Sequence, residues 1–249
     1  MKNFNIIGPC IYLEKEKILV VGDIHCGFEE EIRRNFGGIY IGQKKENFKL
    51  MEKIIEKEKR MEKIVFLGDI THSFIYKKKE IEELNEFISL IRNKLKKVKI
   101  FAVKGNHDLF LTKKNLNNQI KLSNFFIFNE NLFIHGEKDF LKIYEKEIKK
   151  SKRIFLGHFH PAIEIKENIK TEKFKCFLIG KYRGKEFFFL PSFFPFIEGS
   201  DIRKNKEIEY ELVKNFRVYV TDEEFNIYDF GKLKKLEKTL PPGIEPGSP

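Results

Sequence analysis

The sequence predicts an α/β domain in which two mixed β-sheets pack face to face with helices outside, and three observations lead there. Residues 18–103 read as strand, helix, strand, helix, strand, the pattern of a parallel sheet with right-handed crossovers. Beyond residue 120 the texture changes to short strand candidates that suit a second, mixed or antiparallel sheet. All six histidines stand within three residues of Gly, Asp or Asn just after apolar runs, at the carboxyl ends of predicted strands, where open α/β sheets bind ligands.

Taken in order, Phe4 to Ile7 and Ile11 to Leu13 form a hairpin across Gly8-Pro9. Ile18 to Val21 is apolar throughout, as a strand buried on both faces must be, and ends at Gly22-Asp23-Ile24-His25. Residues 27–42 have no clear period and read as a surface loop able to cap a site. Phe48, Met51, Ile54 and Ile55 mark a helix over 46–60 with Lys and Glu on its other face. Ile64 to Leu67 leads into Gly68-Asp69-Ile70-Thr71-His72, Ile81 to Ile91 forms a second helix, and Ile100 to Val103 ends at Gly105-Asn106-His107-Asp108.

In the second half, Phe125 to Phe128 and Leu132 to His135 are strands, and a helix near Leu141 to Ile148 precedes the strand Ile154 to Leu156. Gly157-His158-Phe159-His160 follows. Ile163 to Ile165, Phe174 to Ile179, Glu186 to Leu190, Ile208 to Val213, Arg217 to Val220 and Phe225 to Tyr228 complete the second sheet. We place a single domain over residues 1–239 and expect the tail 240–249, with four of the eight prolines, to be disordered.

A net charge of +11 favours an anionic partner, nucleic acid among them, because a basic surface concentrates phosphates. The competing reading is Lys interleaved with Asp and Glu on solvated helix faces, the run Lys77-Lys78-Lys79 included. Cys10, Cys26 and Cys176 are odd in number and far apart, which fits a reduced, cytoplasmic protein. The longest uncharged apolar stretch, 187–197, is short and broken by Pro191 and Pro195, so no membrane anchor is expected.

Two carboxylates, an amide oxygen and several imidazoles without a thiolate suit borderline divalent ions such as Mn²⁺, Fe²⁺, Zn²⁺, Co²⁺ or Ni²⁺. The donors exceed the four that one structural site needs. Two ions sharing a carboxylate, roughly 3.5 to 4 Å apart, are suited to hydrolysing phosphate esters.

The five segments, in this order, resemble the complete motif series of the calcineurin-like metallophosphoesterases. The resemblance implies the four-layer αββα sandwich of the metallo-dependent phosphatases, with Asp23, His25, Asp69 and His160 on one metal and Asp69, Asn106, His135 and His158 on a second. The two ions would most often be Mn²⁺. It further implies that His107 contacts or protonates the substrate, with Asp108 as its orienting partner. A plain capping role is the other reading of Asp108. His72 resembles the phosphate-handling histidine of the nuclease branch typified by bacterial SbcD. Together with 157–162 and Leu190-Pro191-Ser192-Phe193, it makes the chain similar to small archaeal SbcD-related and bacterial ligase-associated phosphoesterases.

The expected activity is phosphodiester hydrolysis, on nucleic acid or nucleotides. A monoesterase or nucleotide phosphatase is the alternative, and a non-catalytic metal-binding scaffold a third. Arg33, Arg34 and Arg183 are candidate phosphate partners, Cys26 is expected to pack rather than ligate, and Phe187 to Phe196 either stacks bases or, as we expect, fills the core.

Overall fold

The computed structural model describes residues 4–28, 43–112, 114, 116–117, 119–167 and 170–236. Residues 29–42 of the expected capping loop, Arg33 and Arg34 among them, and the tail 240–249 therefore lie outside the described residues.

The first sheet has six strands in sequence order: β1 (Asn5–Ile7), β2 (Cys10–Leu13), β3 (Ile18–Val21), β4 (Lys63–Phe66), β5 (Lys99–Val103) and β6 (Lys121–Ser123). The hairpin β1–β2 joins β3 antiparallel, and β3 to β6 run parallel, with helices α1 (Gln43–Lys57) and α2 (Lys78–Lys94) as crossovers. Successive side chains of a strand point to opposite faces, so each apolar run feeds two cores. Leu19, Val21, Ile64, Phe66, Ile100 and Ala102 pack with Met51, Ile54, Leu84 and Phe87 of the helices. Val20, Val65, Leu67, Phe101 and Val103 face the other sheet.

The second sheet contains β7 (Phe125–Phe128), β8 (Asn131–Ile134), β9 (Arg153–Leu156), β10 (Pro161–Glu167), β11 (Lys170–Tyr182), β12 (Lys185–Phe189), β13 (Ser200–Asp201), β14 (Arg217–Thr221) and β15 (Ile227–Lys232). Its order is β13-β10-β11-β12-β9-β8-β7, with β14 between β11 and β15. Both β8 and β12 run parallel to β9. Three short helices, α3 (Phe140–Ile143), α4 (Glu145–Lys150) and α5 (Tyr210–Val213), complete the described helices. The layer between the sheets is rich in phenylalanine: the Phe155 ring stacks on Phe133 at 5.1 Å and on Phe188 at 4.5 Å. Much of the aromatic payload thus serves packing. Phe187, Phe188, Phe189, Phe193 and Phe194 are buried, as the core reading expected.

Four elements differ from expectation. Ile208 to Val213 alternates apolar and charged residues like a strand, but Ile208 and Leu212 bury one helical turn apart and the segment forms α5. Phe225 belongs to a turn: Asp222 accepts hydrogen bonds from the amides of Glu224 and Asn226, so β15 starts only at Ile227. The short strands β6 and β13 were not anticipated. None of the three cysteines is disulfide-bonded, and all are buried. No described helix is long and apolar enough to cross a membrane.

Candidate metal and phosphoester site

The parallel strands β3, β4 and β5 end at Asp23 and His25, at Asp69 and His72, and at Asn106 and His107; β8 and β9 of the other sheet end at His135 and at His158 and His160. One edge of the sandwich thus collects every segment singled out in the sequence. The turns there are sharp. His25, Asp69, His158 and His160 have φ of 51°, 43°, 64° and 39°, in the left-handed region that costs a side-chain-bearing residue of order 1–3 kcal/mol. Glycine is required beside them. A Cβ on Gly105 would stand 2.1 Å from Asp69 Oδ1, and one on Gly68, itself at φ 107°, 2.4 Å from His135 Nδ1.

Three groups of side chains bring donor atoms within 4.8 Å of one another: Asp23, His25 and His160; Asp69, His135 and His158; and His25, His72 and His107. Asn106 joins the second, its Oδ1 3.0 Å from His135 Nε2. Asp69, expected to serve both metals, falls in the second group. Asp23 links the first two, with Oδ2 3.4 Å from His160 Nε2 and Oδ1 3.4 Å from His135 Nδ1. The third group, sharing His25, was not expected.

The ring nitrogens show which atoms can take a metal. His135 donates from Nδ1 to the Leu67 carbonyl at 2.8 Å, so Nε2 is the atom that can ligate once the ring gives up its second proton. His158 donates from Nε2 to Glu207 Oε2 at 3.0 Å, which leaves Nδ1 as a lone pair. Those two nitrogens face each other at 3.1 Å. Across the site, His25 Nε2 and His160 Nε2 are 3.3 Å apart. Nitrogens this close, each able to turn a lone pair inward, suit a shared cation, because donors about 2.1 Å from one ion stand roughly 3.0 to 3.5 Å apart. The residues fit divalent metal.

The electrostatics agree. Burial pulls the His135 imidazole down, but its hydrogen bond to Asp69 and the charges of Asp23 and Asp69 outweigh this and hold it at about 9. Burial would raise the Asp23 and Asp69 carboxyls, yet the neighbouring histidines hold both below the usual carboxylate range. Burial, deepened by His160 and His72, drives His25 down to about 3 despite Asp23, so this imidazole is neutral and able to ligate. Burial and the nearby His135 also lower His158.

His107 donates from Nδ1 to the carbonyl of His72, and its Nε2 lies 3.8 Å from Asp69 Oδ2. Asp108 does not serve as the expected orienting partner. Its carboxylate accepts from the amides of Gly105, Ile70 and Thr71 and from the Thr71 hydroxyl, at 2.9 to 3.2 Å, which caps the turn and ties the second and third segments together. Burial and the Asp69 charge raise its carboxyl. His72 packs against the Phe28 ring at 4.4 Å and holds Nδ1 3.4 Å from His25 Nδ1. Arg183 sits over the Tyr182 ring in the β11–β12 turn, at the opposite end of the strands from the site. It is not a phosphate partner there. Cys26 is buried, its amide donating to Ile70.

Several contributors escaped the sequence. Glu207 comes from an irregular segment beyond β13. Ser192 donates to the Asp23 carbonyl at 3.0 Å, and Lys175, pulled down to about 7 by burial against the attraction of Asp23, donates to the Phe194 carbonyl at 2.6 Å. Phe74 stacks on His107 with 3.9 Å between ring centres.

A family model for calcineurin-like phosphoesterases matches residues 16–219. The chain belongs to this family. It is therefore a hydrolase of phosphate esters, in a metal-dependent family, with the αββα fold read above. No curated protein matches it. Among solved structures it is similar to the nuclease MPE of Pseudomonas putida, with TM-score 0.60 and 16% identity over 91% of this chain and 94% of that one, a likeness of fold. A Vps29 double mutant from Entamoeba histolytica has TM-score 0.39, 13% identity and coverage of 86% and 99%. A predicted phosphoesterase from Streptococcus pneumoniae has TM-score 0.34, 15% identity and coverage of 85% and 91%.

Proposed function

We propose that this calcineurin-like phosphoesterase is a two-metal phosphodiesterase, with Asp23, His25, Asp69 and His160 toward one ion and Asp69, Asn106, His135 and His158 toward the other. The observation that carries the reading is the convergence of two imidazole pairs, His135 Nε2 and His158 Nδ1 at 3.1 Å and His25 Nε2 and His160 Nε2 at 3.3 Å, on either side of Asp23. Two such foci ask for two cations. When bound, a pair of divalent ions supplies a nucleophile at neutral pH and neutralises charge on the phosphate oxygens; Mn²⁺ suits this donor set.

His107 has its Nδ1 proton committed to the His72 carbonyl, so Nε2 is the atom that meets substrate and passes a proton to the leaving oxygen. His72, with Nδ1 3.4 Å from His25 Nδ1, handles the same phosphate in this reading. Asp108 acts as a positioning residue, fixing the turn that carries Asn106 and His107. The nuclease among the structural relatives and the net charge of +11 support a nucleotide or nucleic-acid diester.

The test is a Mn²⁺-supplemented panel of methyl nitrophenyl phosphate, nitrophenyl phosphate, cyclic nucleotides and single-stranded DNA. Diester turnover should exceed monoester turnover, and Asp69→Asn should lower it at least about 10²-fold, the cost of one lost electrostatic partner in a reaction centre. Turnover of none of them by protein that binds two metal equivalents would sink the proposal.

A further inference from the structure

Exposed aromatic and aliphatic side chains gather beside the phosphate-handling histidines. Phe74, Ile75 and Tyr76 are 61%, 67% and 54% exposed, and Leu109 is 75% exposed. Two chain segments supply them, each directly after a site segment: 74–76 follow His72-Ser73, and Leu109 follows Asp108. A fold that buries most of its phenylalanine has a reason to leave this much apolar surface in water. Packing does not supply that reason, because the patch lies outside all three cores.

The patch is held in place rather than loose. Ser73, at its root, donates from both its amide and its hydroxyl to the buried Glu80 carboxylate. Tyr76 meets the Phe110 ring edge-on at 6.2 Å. Phe74 lies nearly parallel to the His107 imidazole, 27° between planes, so one of its faces is covered by the residue that meets the phosphate and the other is open. A flat ring placed on that open face would be two stacking layers from His107. The sugar that joins a nucleobase to its own phosphate spans that reach.

Charge separates a nucleic acid from an apolar peptide as occupant. Lys77, Lys78 and Lys79 follow Tyr76 directly and open α2, where the helix macrodipole favours acids over bases. Lys77 is paired with Glu80 at 3.5 Å and Lys78 with Glu82 at 3.5 Å, so the run also serves the helix face, yet the Lys78 side chain is still largely exposed. Aromatic faces flanked by cations are how sequence-tolerant proteins hold single strands.

We propose that Phe74 and Tyr76 form a base-stacking platform for single-stranded nucleic acid, seating the nucleobase next to the scissile phosphate. The proposal rests on the phosphodiesterase reading and names its substrate class. Stacking thus falls to 74–76, while 187–196 is mostly core, as expected.

The test is fluorescence anisotropy at low salt in EDTA, where nothing turns over, with a labelled oligothymidylate and the same strand made wholly of abasic residues. Wild type should bind the base-carrying strand about tenfold more tightly, the worth of one base–aromatic stack. Phe74→Ala and Tyr76→Ala should each shrink that ratio, Phe74→Ala to near one, and Phe74→Leu should do the same by keeping apolar bulk without a π-face. Equal binding of the two strands by wild type, binding of neither, or an unchanged ratio in all the variants overturns the proposal and leaves the patch as a protein-docking face. Hydrolysis of methyl nitrophenyl phosphate, which has no base, tests the underlying reading separately. A chain that hydrolyses it with a ratio of one keeps the phosphodiesterase and loses the platform. A base preference without hydrolysis does the reverse.

Discussion

Glu207 offers a direct measure of how far the site depends on residues that touch no metal. His158 can present a lone pair from only one nitrogen while neutral, and the Glu207 carboxylate decides which by accepting the Nε2 proton at 3.0 Å. Glu207 is itself placed, its amide donating to Asn205 Oδ1 at 2.8 Å. Glu207→Ala frees the imidazole to change tautomer and rotate, and it removes a negative charge that raises ligand basicity. Outer partners of metal-binding histidines are worth about 10- to 100-fold in metal affinity. The Glu207 side chain is 54% exposed, so water replaces part of what is lost and the low end applies. We expect Mn²⁺ affinity to fall about tenfold, or about 1.4 kcal/mol. Isothermal titration of apo protein checks this, with Glu207→Gln recovering part of the loss because its amide oxygen still accepts. Mn²⁺ affinity of Glu207→Ala within twofold of wild type, in protein of unchanged melting temperature, would refute the reasoning.

Two further outcomes follow from the same geometry. In metal-free protein, His135 at about 9 contributes stability that is complete below its ordinary 6.5 and is lost as pH rises through 9, whereas the buried neutral His25, at about 3, destabilises increasingly as pH falls from 6.5 toward 3. Melting of EDTA-treated protein should therefore be highest near pH 6.5, and Mn²⁺ affinity should climb from pH 7 to 9 as the His135 proton is displaced, with protons released in buffers of different ionisation enthalpy; a flat profile contradicts the assignment. Gly105→Ala puts a Cβ 2.1 Å from Asp69 Oδ1, so the Asp69 carboxylate or the turn must move; we expect about 1–3 kcal/mol of lost stability by denaturant titration and reduced metal content by elemental analysis, and native values of both would show that the turn gives way freely.

The sequence carried most of this because each candidate ligand directly follows a buried apolar strand, and β3, β4, β5, β8 and β9 are among the clearest runs in the chain. What stayed hidden depends on side-chain direction or on distant, irregular backbone. Glu207 is 49 residues from His158 and has no periodic context to mark it. The orientation of Asp108 toward Gly105, Ile70 and Thr71, rather than toward the adjacent His107, follows from a 3₁₀ turn over Asn106–Asp108 that three letters do not encode. Phe74 and Phe187 look alike on paper, and only burial makes one a surface and the other core. The segment 208–213 misled because a two-residue alternation over six residues also satisfies one turn of helix.

Four left-handed side-chain-bearing residues in one cluster would, at of order 1–3 kcal/mol each, consume much of the 5–15 kcal/mol that stabilises a typical domain. They persist because the strained turns brace one another. The amides of Ile24 and His25 donate to the Asp69 carbonyl, Cys26 to Ile70 and His72 to Cys26. His158 donates its amide to the Asp23 carboxylate, and Phe193 donates to the Asp23 carbonyl. The two sheets are thus joined at the strained edge by the backbone of the candidate ligands themselves. A scaffold that needed only the contact between sheets has cheaper ways to make it, with ordinary turns and apolar side chains. Strained turns cost stability, while carboxylates held ionised and imidazole nitrogens converging at 3.1 and 3.3 Å are a donor arrangement that suits a divalent cation, so the local geometry argues for a metal centre independently of any likeness to known proteins.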